Sequence, residues 1–262
     1  MRIHLYTISW NEMRMLGFFF RHYDPWVERY VFFDDGSDDG TLDLLNRHPR
    51  VEVRRFERSD PDSYVESSRR LNNQVWKESR GLADWAIITA VDEHIYHPRL
   101  WAFLASARRA GITAIPGLGY QMVSTDFPQS GEQLSRSRTR GAPFTRWNKL
   151  NLFNPGAIEE TNYDVGRHTA DPTGTVVYPD VDELLILHYK YMGFDHIRSR
   201  HAVLAPRLGV GDRKNSWGLQ FDFSDARLLA QIEEWKEKAV DISDPNLRPH
   251  SSHPPPRWWR NK

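Results

Sequence analysis

The chain has 262 residues, with 35 basic against 35 acidic side chains, ten tryptophans and no cysteine. The missing cysteine excludes disulfides, thiolate zinc sites, iron–sulfur clusters and a cysteine nucleophile. The zero net charge and a pI of about 7.2 argue against a protein built to coat nucleic acid. With 39% hydrophobic residues the chain is expected to fold, as one large domain or two small ones. The longest uncharged stretch, 110–125, is interrupted by Pro116, Gly117 and Gly119; it falls short of the roughly 20 apolar residues of a membrane span. The start reaches Glu12 before any long apolar run, unlike a signal peptide. A cytoplasmic protein is the expectation.

In chain order, residues 2–8 alternate as a strand, and Met15, Leu16, Phe19 and Phe20 recur at helical spacing. Residues 27–33 predict a second strand, stopped by the turn-rich Asp34-Asp35-Gly36-Ser37-Asp38-Asp39-Gly40. A short helix over 41–46, a strand over 51–56 and a helix from Pro61 to Arg80 follow. Residues 85–91 read as a strand buried on both faces and end in Asp92-Glu93-His94. A helix over 98–109 and a strand within 112–124 complete an alternation that predicts a mainly parallel sheet covered by helices. Residues 125–146 form a polar loop carrying Arg136, Arg138 and Arg140. These arginines either close over an anionic ligand or are simply solvated. Strands are expected at 147–153, 175–178 and 184–189, helices at 194–205 and 224–239, and an extended Pro-rich tail from 241.

In such sheets ligands bind beyond the carboxyl ends of the strands. Ser9-Trp10-Asn11-Glu12, Asp34-Asp35-Gly36-Ser37 and Asp92-Glu93-His94 each fall at such an end. Asp38 to Thr41 read equally well as part of a ligand site or as a solvated turn in which Asp39 or Thr41 caps the next helix. Asp34 and Asp35 follow an apolar run, and carboxylates there can accept hydrogen bonds from a nucleobase or a ribose. Adjacent Asp92 and Glu93 at the mouth of a buried strand need a partner; oxygen ligands of this kind suit Mg²⁺ or Mn²⁺ beside substrate phosphates. The tryptophans read either as core or as platforms for flat rings. Trp76, Trp85 and Trp101 are expected in the core, and Trp147, Trp217, Trp258 and Trp259 are left open.

These segments together resemble the nucleotide-sugar glycosyltransferases of family 2, of GT-A fold. The resemblance covers residues 1–110 well and continues loosely to about 205 through Arg146-Trp147-Asn148-Lys149, Gly166-Arg167-His168 and Leu187-His188-Tyr189. It implies an α/β, Rossmann-like GT-A domain over 1–205, with a nucleotide-binding half (1–124) and an acceptor half (125–205). A helical segment (206–240) and a tail (241–262) follow. The implied nucleotide site is Thr7, Trp10, Asn11, Glu12, Asp34 and Asp35, with Trp10 stacked on the base and Asp35 contacting it. The implied site for Mn²⁺ or Mg²⁺ is Asp92 and Glu93, joined by His188 or His168, of which His188 follows the clearer strand. Ala90 stands where a first Asp is common, which puts metal affinity in doubt. Glu159, Glu160 and Asp164 are candidates for a catalytic base.

The implied activity is metal-dependent transfer of a hexosyl or related group from a UDP-sugar to a carbohydrate or lipid-linked acceptor, as in polysaccharide biosynthesis. No nucleic-acid partner is expected. Trp258-Trp259 between Arg257 and Arg260 would allow peripheral contact with the inner face of a membrane, or packing of the tail on its own domain. Two alternatives stand beside this reading: a degenerate nucleotide- or glycan-binding protein, and a nucleotidyltransferase. The latter lacks the glycine-rich, basic phosphate loop expected after the first strand.

Overall fold

The computed structural model describes residues 1–260. Its elements run β1 (Ile3–Ser9), α1 (Met13–Tyr23), β2 (Arg29–Asp34), α2 (Thr41–Arg47), β3 (Val51–Arg55), α3 (Tyr64–Asn72), β4 (Trp85–Ile88), β5 (Glu93–Tyr96), α4 (Leu100–Arg109) and β6 (Ala114–Ser124). The second half adds α5 (Leu134–Ser137), β7 (Arg140–Pro143), β8 (Lys149–Phe153), β9 (Ile158–Glu160), β10 (Thr173–Gly174), β11 (Leu185–Met192), α6 (Phe194–Leu204), α7 (Val210–Lys214), α8 (Asp225–Lys238), β12 (Val240–Asp241) and α9 (Pro249–Ser252).

One sheet of ten strands runs in the order β12-β7-β6-β8-β4-β1-β2-β3, with β11 joining β6 to β5. The stretch β4-β1-β2-β3 is parallel. Strand β11 lies parallel to β6, whereas β8, β7, β12 and β5 add antiparallel pairs. The α/β class and the helix-flanked parallel stretch in the first half of the chain therefore match expectation.

Alternation divides the side chains of β1, β2 and β4 between two buried layers. Ile3, Leu5, Tyr30, Phe32, Trp85 and Ile87 face one buried layer, packed on Phe19 and Tyr23 of α1. Tyr6, Val31, Phe33, Ala86 and Ile88 face the other, with Trp76, Phe153 and Tyr163. Both faces are covered, so these strands are nearly all apolar. A third cluster packs Leu228, Ile232 and Trp235 of α8 against Val123, Ala142 and Tyr191.

Several local expectations differ. The helix expected over 61–80 breaks after Asn72 and continues as a short 3₁₀ turn at 75–79. The strand expected at 85–91 ends at Ile88, and the chain turns back into β5, antiparallel to β11. No strand forms at 175–178; β10 is the two residues Thr173–Gly174. Trp76 and Trp85 are buried as expected, but Trp101 is half exposed on α4.

The polar loop is tied down. Arg138 pairs with Asp126 at 2.9 Å and Glu132 at 2.8 Å. Arg140 donates to the Ala239 carbonyl at 2.5 Å. Neither these arginines nor Arg136 reaches the large cleft described below.

The tail is anchored as well. Buried Asp182 accepts from Arg257 (2.8 Å), Arg260 (2.7 Å) and the Trp259 indole (2.9 Å). Trp259 is itself buried, and Trp258 donates to the Asn148 carbonyl. The tryptophan pair thus packs on its own domain and does not form a free membrane-facing patch. Asn261 and Lys262, the last of the expected tail, lie outside the described residues. No helix among the described residues is long and apolar enough to cross a membrane.

Two glycines in β6 let neighbours approach. A Cβ on Gly119 would meet Trp147 Cβ at 2.4 Å and its backbone carbon at 2.5 Å. Backbone cannot yield as a flexible side chain can, so Gly119→Ala is expected to cost about 1–3 kcal/mol, the range for overpacking. Urea unfolding checks this; an unchanged midpoint would show that the wall carrying Trp147 is soft.

Candidate functional site

The segments after β1 and β2 are built as one unit. Asp34 does not project into solvent. Its carboxylate accepts from the backbone amides of Gly36 and Ser37, both at 2.9 Å, and from the Ser37 hydroxyl. Asn11, at φ 51°, bridges the two loops: its amide nitrogen donates to Asp38 at 2.7 Å and its oxygen accepts the Asp38 amide at 2.8 Å. Asp39 and Thr41 take the Met13 and Glu12 amides, capping α1. Asp39 also accepts from the Thr41 amide, at the start of α2. Most of the acidic run is therefore loop architecture, and Asp35 alone of the first pair is left for a ligand or a counter-ion.

These loops, the β4–β5 turn, β11 and α6 enclose a cleft of about 570 Å³. Trp10, Asn11, Glu12, Asp35, Asp92 and His188 line it. Thr7 is buried within β1, and neither it nor Asp34 lines the cleft. The Trp10 ring is covered: Arg207 lies 3.9 Å and Arg200 5.4 Å from its centroid. Arg207 also pairs with Asp35 at 2.6 Å, and Arg58 joins the same carboxylate at 2.8 Å. Arg200 pairs with Glu12 at 2.5 Å and holds the carbonyls of Trp10 and Asn11. Sequence reasoning missed Arg58, Arg200 and Arg207, because nothing in local pattern says that residues 58 and 200–207 return to the first turn.

Asp92 and Glu93 have different environments. Asp92 Oδ2 lies 3.2 Å from His188 Nε2. Burial alone would raise its carboxyl, but the His188 charge and hydrogen bond outweigh this and hold it below the usual range. Nδ1 of His188 donates to Oε1 of Gln121, its register partner in β6. An amide oxygen can only accept, so Nε2 is the nitrogen left facing Asp92. Trp147 stacks on the imidazole at 4.4 Å and 17°.

Glu93 is turned inward and buried. One oxygen accepts from Lys149 (2.6 Å) and the Trp147 indole (3.1 Å), the other from Arg167 (2.9 Å) and the Ala90 amide (3.2 Å). Burial would raise its pKa, but Lys149 and then Arg167 hold it well below the carboxylate range. With both oxygens saturated, Glu93 is a counter-charge beneath the cleft and is not free to ligate a metal.

His168 does not line the cleft. It tilts against Trp147 at 4.9 Å, and burial pushes it down to about 3. Glu159, Glu160 and Asp164 do not line it either: Glu160 pairs with Lys77 at 2.6 Å, and Asp164 caps a 3₁₀ turn.

Among the described residues no group of three or more His, Asp or Glu is placed to hold a metal. Asp92 and His188 remain as a pair. Their 3.2 Å separation matches the roughly 3 Å between neighbouring ligands of a small hard cation with bonds of about 2.1 Å. Mg²⁺ commonly takes only one or two protein ligands and completes its shell with phosphates and water. The pair fits a cation under that condition.

No protein-family model and no curated protein matches the chain. Solved structures similar to it include the following three. TarS 1–349 of S. aureus in complex with UDP is 10% identical over 60% of this chain and 48% of that one, with a TM-score of 0.36. Mannosyl-3-phosphoglycerate synthase from Rubrobacter xylanophilus is 15% identical over 47% and 40%, with a TM-score of 0.33. A second TarS 1–349 structure is 13% identical over 88% and 69%, with a TM-score of 0.38. The chain spans less than half the length of the first two.

Proposed function

We propose that the chain is a glycosyltransferase that uses a nucleotide-diphosphate sugar, with UDP-sugars the first donor class to test. The observation that supports this is the meeting of Trp10, Asp35, Asp92 and His188 in one cleft at the carboxyl ends of parallel strands. An aromatic ring beside a carboxylate suits a base, and a carboxylate–imidazole pair suits a cation with a diphosphate. A divalent cation held by Asp92 and His188 would stabilise negative charge on the leaving diphosphate as a Lewis acid. The protein's own part is to hold His188 rigid through Gln121 and Trp147 and to keep Glu93 out of the ligand set. The acceptor is a carbohydrate or a lipid-linked glycan; the apolar wall of Leu204, Leu208 and Phe221 suits the flat face of a sugar.

In this reading a base stacks on Trp10 only after Arg207 gives up its face. Trp10→Ala should weaken nucleoside binding by about 1–3 kcal/mol, the range for one stacked base, or roughly 5- to 150-fold in Kd. Titration calorimetry with uridine and UDP checks this, and equal affinity in the variant would remove Trp10 from the base site.

Hydrolysis of a nucleotide-sugar panel, with and without Mn²⁺, tests the activity. Ala90 and the saturated Glu93 favour one competing reading, a nucleotide-binding protein without turnover. Binding without hydrolysis under both conditions would select it.

A further inference from the structure

Most cations lining the cleft already have a carboxylate partner. Arg58 and Arg207 share Asp35, and Arg200 holds Glu12. Just below the cleft, Lys149 and Arg167 share Glu93. Two lining cations have no carboxylate partner among the described residues, Arg14 and Lys190. Arg14 is exposed and rests on the Phe127 ring at 4.1 Å. Lys190 is different. It is partly buried on β11, two residues beyond His188, and its ammonium lies 5.2 Å from the Phe221 ring centroid. Asp92 acts on it electrostatically, but no hydrogen bond or ion pair meets it among the described residues.

A desolvated charge without a partner is costly, and sites built for a charged ligand tolerate that cost in the ligand's absence. His196, on the same wall, is pushed down to about 4 by burial, with Arg14 and Arg200 adding to the effect, so it is neutral at pH 7 and does not compete for an anion. The buried ammonium without a hydrogen-bonded partner thus sits near the Asp92–His188 pair, where the nucleotide-sugar reading puts the phosphates.

We infer that Lys190 gives the cleft a diphosphate subsite that works without a divalent cation. The inference rests on the proposed nucleotide-sugar reading for its location. Its chemistry is narrower: one ammonium, three donors, and an anion carrying adjacent phosphoryl oxygens.

Titration calorimetry of inorganic pyrophosphate, uridine, UDP, GDP and CDP, all in EDTA, on the full chain and on Lys190→Met and Lys190→Arg, provides the test. Methionine keeps the length and apolar stem of the side chain, and arginine restores the charge. The expected result is measurable pyrophosphate binding by the wild type, weakened at least 10-fold in Lys190→Met and largely restored in Lys190→Arg. Uridine affinity should stay equal in all three. Absent pyrophosphate binding by the wild type, or equal affinity in Lys190→Met, would overturn the inference. Lys190-dependent pyrophosphate binding with no binding of UDP, GDP or CDP would keep the subsite and instead remove the nucleotide reading.

Discussion

Glu93→Ala should destabilise the fold by about 3–5 kcal/mol, the range for breaking a buried ion pair from one side. The carboxylate is buried with Lys149 and Arg167 on its two oxygens, at 2.6 and 2.9 Å. Its removal strands both cations and frees the Trp147 indole. The pH dependence gives a second signature. In the wild type the Glu93 pKa is depressed on folding. Its contribution is therefore complete above the unfolded carboxylate value of about 4.3 and is lost as pH falls toward the folded value. Lys149 has the opposite relation. Burial lowers its pKa even with Glu93 present, and without Glu93 it falls further. A lysine whose folded pKa lies below its unfolded value of about 10.4 gains stability as pH rises between the two. The variant should thus recover part of its loss at alkaline pH and lose the acid-side dependence. Urea unfolding between pH 4 and 9 checks both signs, and a midpoint close to that of the wild type at pH 7 would show that the triad is dispensable.

The largest functional effect should come from Asp92→Asn. The amide keeps the shape but removes the charge opposite His188 Nε2. Under the proposed reaction, donor turnover should fall by about 10²- to 10³-fold, the range for losing one preorganised charge-stabilising group. Uridine affinity should be unchanged, which separates loss of chemistry from loss of fold. Glu159→Gln, Glu160→Gln and Asp164→Asn should keep wild-type turnover, because none of the three lines the cleft. Turnover retained in Asp92→Asn would move the phosphate site elsewhere.

The contrast between Asp92 and Glu93 shows what a sequence conveys and what it hides. Alternation over 2–8, 27–33 and 85–91 made the parallel strands legible, and the turn residues made their carboxyl ends legible. The meeting of Trp10, Asp35 and Asp92 follows from topology alone. Both of the adjacent carboxylates line the cleft, but which of them keeps an oxygen free for a ligand does not follow from topology. That depends on Lys149 and Arg167, which lie 56 and 74 residues further on. Arg200 and Arg207 were invisible for the same reason. His188 was readable from its strand, while His168 sits behind Trp147 because of a left-handed turn at Gly166 and Arg167. The acidic run after β2 looked like a ligand set, yet most of it serves as caps and loop bridges, since backbone amides at helix starts attract the same carboxylates that metals do.

The anchored tail bears on the order in which the molecule can be assembled during synthesis. The parallel half can pair once about 90 residues have emerged, since β1, β2, β3 and β4 all lie before Thr89. The wall behind His188 cannot. His253 bonds the Gly119 carbonyl at 2.9 Å across 134 residues, and Trp258 bonds the Asn148 carbonyl across 110. Asn148 in turn holds the Gly119 amide at 2.9 Å. Contacts of such separation form late. A nascent chain would therefore present the loops that carry Trp10 and Asp35 well before it could present a rigid imidazole, and the cleft would reach its final geometry only when the segment around residues 253–259 had docked.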